Sequence, residues 1–153
     1  MIKQSVYAVM LGLACTTLAA VSAPQTARAQ AAAGEARQGM KVVYHINDSD
    51  DQALAALRNM RNHLDVAPST EIVAVAHADG IDFLSTKYDD AKTVGPLIAG
   101  LAARGVRFEV CEITIGRKQW SKDDFVLEAE FTPSGVARIT ELQIGQGYAY
   151  IKP

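Results

Sequence analysis

Cysteine is nearly absent from this chain, which holds two in 153 residues, Cys15 and Cys111. Cys15 falls in an apolar N-terminal stretch that reads as a cleaved export signal. Cys111 is then alone in the remaining domain, and an internal disulfide there is excluded. Basic surplus is missing too. Lys and Arg number 15 against 17 Asp and Glu. Cleavage after Ala29 would remove Lys3 and Arg28 but no acid, leaving 13 basic and 17 acidic residues, a net charge of −4. Such a chain has no cationic stripe to neutralise phosphates, which argues against a nucleic-acid partner. A Gly-rich phosphate loop is also lacking. The turn after the first expected strand, Asn47-Asp48-Ser49-Asp50-Asp51, is acidic and would repel phosphate. That disfavours a flavin mononucleotide or a dinucleotide, and no cofactor is expected. Histidine is scarce, with three residues. His45, His77 and Cys111 are of types that ligate transition metals, but no short ligand spacing joins them, and no metal site is expected.

The N-terminus has the three parts of a secretory signal. Lys3 supplies the positive n-region, and an uncharged stretch runs from Ser5 to about Ala20. Ala27-Arg28-Ala29 then gives a small-x-small cleavage site, with Val21-Ser22-Ala23 as a second one. A membrane anchor is the competing reading. However, Thr16, Thr17 and Ser22 dilute a stretch that would need ~20 predominantly apolar residues to span a bilayer. A third reading is lipidation at Cys15, which follows the small residue Ala14, though Gly12 stands where such signals usually carry leucine. The expected organisation is a signal peptide over residues 1–29, a small polar leader over 30–39 and one α/β domain over 40–153. The expected location is periplasmic or secreted, with no membrane attachment unless Cys15 is lipidated.

Within 40–153, strand and helix patterns alternate. Lys41 to Ile46 is a short apolar strand, and Ser49 with Gln52 reads as a capping box opening a helix. Leu54, Leu57, Met60 and Leu64 follow helical spacing, and Pro68 ends it. Glu71 to His77 is apolar almost without alternation, as in a strand covered on both faces. A polar connection holding Ile81-Asp82-Phe83-Leu84 precedes a helix over about 93–104, with Gly105 at its left-handed cap. The strand Val106–Cys111 alternates, which suggests that its Arg107, Glu109 and Cys111 face is less covered. A short helix carrying Trp120 is expected within Ile113 to Lys122, and a fourth strand ends near Phe131-Thr132. Pro133-Ser134-Gly135 then opens a helix whose apolar positions are Val136, Ile139 and Leu142. Gly145 and Gly147 stop it before a last strand, Tyr148 to Ile151. Helices between strands mean βαβ units. The expected fold is a three-layer α/β/α sandwich around a mostly parallel sheet of about five strands.

Ligands of such sheets bind outside the carboxyl ends of the strands. Those ends carry Asn47 and Asp48, His77, Asp79 and Gly80, Cys111, and Thr132 with Ser134. Cys111 is the one candidate catalytic residue. It precedes an expected helix, whose N-terminus lowers a thiol pKa. Adjacent Glu112 opposes this, and Arg107, Arg117 and Lys118 are the cations available to offset it. Burial as a small hydrophobe is the commoner fate of a free cysteine. His77 has two readings, a general base toward Cys111 or the commoner strand-end histidine satisfied by a backbone carbonyl. Tyr148, Tyr150 and Trp120 read as core or interface.

Three segments resemble the DsrE/DsrF-like family: Gly105-Val106-Arg107-Phe108-Glu109-Val110-Cys111, Thr132-Pro133-Ser134-Gly135-Val136-Ala137-Arg138-Ile139, and Leu142-Gln143 with Gly147-Tyr148-Ala149-Tyr150-Ile151-Lys152-Pro153. The resemblance spans nearly all of 40–153. It implies a three-layer domain that assembles into homo-oligomers, often trimers or hexamers. It also implies that a cysteine at the place of Cys111 carries a persulfide and exchanges sulfur with a donor or acceptor protein. Three functions therefore stand. One is a sulfur carrier or sulfurtransferase-like protein acting through Cys111. The second is a non-catalytic oligomeric binding or scaffold protein with Cys111 structural. The third is a thiol redox sensor that pairs Cys111 between chains.

Overall fold

The computed structural model describes residues 39–153, with Thr26 alone ahead of them. The expected signal peptide, most of the leader and Cys15 lie outside the described residues. Five strands, β1 (Lys41–Ile46), β2 (Glu71–Ala76), β3 (Arg107–Cys111), β4 (Ala129–Thr132) and β5 (Ala149–Ile151), form one sheet in the order β4-β3-β2-β1-β5. Every neighbouring pair is parallel. The chain thus steps outward from β1 to β4, then crosses the whole sheet to place β5 on the other side of β1.

The helices are α1 (Ser49–Val66), α2 (Ala91–Ala102), α3 (Glu112–Lys118) and α4 (Gly135–Thr140), the last continuing as a wide π turn over Glu141–Gly145. The period of two in the strands sorts their side chains into two unequal layers. Val42, Tyr44, Ile46, Ile72, Ala74, Ala76, Phe108 and Val110 meet α1, α2, Ile115 of α3 and the 3₁₀ segment Ala78–Leu84 in the larger core. Val43, Val73 and Val75 meet only Ile139, Leu142 and Tyr148 in the smaller one. A single helical stretch, the return crossover to β5, covers that second face. Among the described residues no helix is long and apolar enough to cross a membrane.

Three expectations need correction. The cap of α1 is Asp48, whose Oδ1 accepts the Asp51 N–H at 3.1 Å. Ser49 is buried one position on, where its hydroxyl donates to the Asp79 carbonyl at 2.8 Å and accepts the Phe83 N–H at 2.9 Å. Tertiary demand from the 3₁₀ segment outweighed the local capping preference, and Gln52 reaches back to Asn47 instead. The polar face of β3 is not thinly covered, since Glu109 is 4% and Cys111 5% exposed. Arg138 of α4 meets Glu109 through Nε at 2.7 Å and Nη2 at 3.0 Å. A carboxylate with its own bidentate partner can be buried, so alternation there marks an ion pair rather than solvent. The expected helix over 93–104 begins and ends two residues earlier, and Gly105 follows it at φ +88°.

A thiol and two histidines at the carboxyl ends of the strands

Cys111 is the last residue of β3 and the residue before α3. It pairs in register with Thr132 of β4. On its other side is His77, directly after β2, whose Ala76 is in register with Val110. The return crossover begins against both. A Cβ built on Gly135 would lie 3.1 Å from the His77 Cβ and 3.3 Å from the Cys111 Cβ. Glycine is therefore what lets the start of α4 close down on the thiol.

Burial pushes the Cys111 thiol up, but four hydrogen-bond donors outweigh it and the net pKa is below the ordinary value. They are the Gly135 N–H, the Thr114 hydroxyl and the N–H groups of Thr114 and Ile113. Donors that favour the charged form lower a pKa directly. Thr114 Oγ1 accepts the Ala78 N–H at 3.1 Å, which leaves its own proton free for the sulfur. Glu112, expected to oppose ionisation, is turned to Lys122 at 2.5 Å. Of the three cations proposed as offsets, Lys118 is held by Asp79 and Asp82, and Arg107 by Glu71. Only Arg117 reaches the thiol's surroundings. With His77, Ile113, Thr114, Ser134 and Val136 it lines a cavity of about 150 Å³ whose wall includes Cys111.

His77 is not satisfied by a backbone carbonyl. Its Nε2 lies 2.6 Å from Nε2 of His45, and Nδ1 of His45 lies 2.7 Å from the Tyr150 hydroxyl. Burial, the charge of His77 and that of Lys152 hold the His45 pKa down at about 4. Burial and Lys152 lower that of His77 as well. Both rings are consequently neutral near pH 7. Among the described residues no group of three or more His, Cys, Asp and Glu side chains could hold a metal ion.

A model of the DsrE/DsrF-like family matches residues 9–153. The chain belongs to the DsrE/DsrF-like family. The solved structure of MTH1491, a protein of unknown function from Methanobacterium thermoautotrophicum, is similar to it at 29% identity with a TM-score of 0.68. The match covers 74% of this chain and 99% of that one. No curated protein matches.

In this DsrE/DsrF-like chain the strand ends named from sequence divide into two groups. Cys111, His77 and Ser134 share the cavity, whereas Asn47, Asp48 and Asp79 are occupied in capping and bridging α1 and the 3₁₀ segment. Thr132 is buried beside Cys111. Sequence reasoning missed Thr114 as a donor, although its place three residues after Cys111 and in the first turn of α3 was a usable signal. It also missed the coupling of His45 and Tyr150 to His77. Residues 105 positions apart in sequence meet there only because β5 returns to pair with β1.

Proposed function

We propose that this chain is an exported, sulfur-carrying member of the DsrE/DsrF-like family, in which the Cys111 thiolate accepts a sulfane sulfur and holds it as a persulfide. The observation that carries this reading is the set of four donors on the Cys111 sulfur, which favours the thiolate form despite burial. Thiolate is the attacking species in such chemistry. The cavity of about 150 Å³ leaves room for the added sulfur, and Arg117 on its wall is the nearby cation for the anionic persulfide. Export is supported by Lys3, the uncharged apolar stretch and Ala27-Arg28-Ala29. Exposed Val136 and Ile144 on the return crossover support assembly into a homo-oligomer, a trimer or hexamer by the family resemblance. A donor or acceptor protein would dock at the rim, where Ile113 is exposed.

Intact mass of the purified protein, with and without a polysulfide donor, tests the reading beside Cys111→Ser. A reducible gain of one or more sulfur atoms, absent from the variant, is the expected result. The 5% exposure of Cys111 favours the competing reading of a non-catalytic scaffold with a packed thiol. An unchanged mass together with resistance of the folded thiol to alkylation would establish that alternative and end the carrier reading.

A further inference from the structure

His77 stands beside Cys111, and His45 beside His77, on the sheet face covered by the return crossover. At 2.6 Å the His45 and His77 Nε2 atoms must share one proton, because two N–H groups or two lone pairs would repel at that distance. His45 Nδ1 is at the same time bonded to the Tyr150 hydroxyl. The three groups therefore have coupled hydrogen positions. In one arrangement Tyr150 donates to His45, His45 donates to His77, and His77 carries its proton on Nδ1. In the other, His77 Nε2 donates to His45, His45 Nδ1–H donates to Tyr150, and His77 Nδ1 is a bare acceptor. The two differ by one proton moved from end to end. Tyr150, 42% exposed, is the solvent end. His77, on the wall of the Cys111 cavity, is the inner end.

We propose that Tyr150, His45 and His77 form a proton relay serving Cys111, with His77 the acid–base group of sulfur transfer and His45 and Tyr150 positioning residues that set its tautomer. This rests on the reading of Cys111 as a sulfur carrier. With a persulfide donor R–S–SH, the Cys111 thiolate attacks the outer sulfur. The Sγ–S bond forms, the donor's S–S bond breaks, and its electron pair leaves on R–S. His77 takes the proton of the outer sulfur and returns one to the departing R–S⁻. The products are the Cys111 persulfide anion and R–SH, with no external oxidant or reductant consumed. A base must be unprotonated to begin this cycle. The groups facing the pair favour that state: Lys152 from the C-terminal segment repels a second positive charge, and Arg117 from α3 lies on the same cavity. Cys111 on that cavity and Tyr150 bonded to His45 are further titratable groups, while the start of α4 contributes uncharged Ser134, Gly135 and Val136.

The test is the rate of sulfur loading onto Cys111 from glutathione persulfide, followed by intact mass, in the unsubstituted protein, His77→Asn, Tyr150→Phe and Cys111→Ser. General acid–base groups contribute on the order of 10²–10⁴ in rate, so His77→Asn should load about 100-fold more slowly. Added free imidazole should restore part of the loss, and alkylation of Cys111 by a small reagent should be retained. Tyr150→Phe removes only one exposed hydroxyl and should slow loading several-fold, which keeps the test open if His77→Asn folds poorly. Loading at the unsubstituted rate in both variants, with none in Cys111→Ser, would overturn the relay and leave the carrier intact. Slowed loading without imidazole rescue, accompanied by equally slowed alkylation, would also overturn it. Absence of any sulfur uptake by the unsubstituted protein would remove the carrier reading and the relay together.

Discussion

Thr114 uses one hydroxyl twice, accepting the Ala78 N–H and donating to the Cys111 sulfur. Replacing it by valine keeps the shape and removes one of the four donors. The pH midpoint for alkylation of Cys111 should then move upward, while the three remaining N–H donors keep the thiol reactive. An unmoved midpoint in Thr114→Val would mean the hydroxyl does not reach the thiolate. The histidines make a second residue-level prediction. A histidine whose folded pKa is depressed binds fewer protons when folded than when unfolded, so stability rises with pH in that interval. For His45 the interval runs from the ordinary value near 6.5 down to about 4. Its contribution is complete above that range and is lost as pH falls through it. Urea unfolding between pH 7 and pH 4.5 should show a smaller loss of stability for His45→Gln than for the unsubstituted chain. Cys111 was legible in the sequence as the last residue of an alternating strand. Three of its four donors were not, because backbone N–H groups carry no residue signature.

At the scale of elements, the strands were the most readable feature and their faces the least. β1 agrees with the sequence expectation at both ends, and β2 and β3 each differ by one residue. Branched apolar runs bounded by polar turns leave few alternatives. The polar side of β3 was misread because alternation cannot tell a solvated carboxylate from one buried against a partner supplied by another element. Arg138 is that partner, with a second carboxylate, Glu141, 3.0 Å from its Nη1. These bonds hold its guanidinium pKa still higher than usual, Glu109 being the larger cause. Arg138→Met would strand the Glu109 carboxylate, which then has only Arg107 at 3.8 Å. The expected cost is about 3–5 kcal/mol, measured by urea unfolding, and a second change of Glu109→Leu should recover most of it. Failure of the double variant to recover would mean that packing of α4, not charge pairing, sets the stability of this face.

For the whole molecule, the uneven covering of the sheet is the consequential fact. Three helices and a 3₁₀ segment pack one face, one helical stretch the other, and that stretch turns Val136 (60% exposed) and Ile144 (84% exposed) outward. Exposed apolar residues on a thin layer are candidates for burial against another copy. Sedimentation of the purified protein should accordingly give a multiple of the monomer mass, and Val136→Glu combined with Ile144→Glu should release monomers. A monomer before substitution would exclude assembly through this surface. What the sequence by itself determined was the α/β alternation, the near position of every strand and the cysteine at the end of the third. Each of these depends on local periodicity, spacing or composition. Only the tertiary structure decided that β5 returns beside β1, that α4 crosses back over Cys111, and that His45, His77 and Tyr150 form one hydrogen-bonded chain. Those are contacts between residues far apart in sequence, and strand order is settled by how the two faces are buried, a property no segment carries alone.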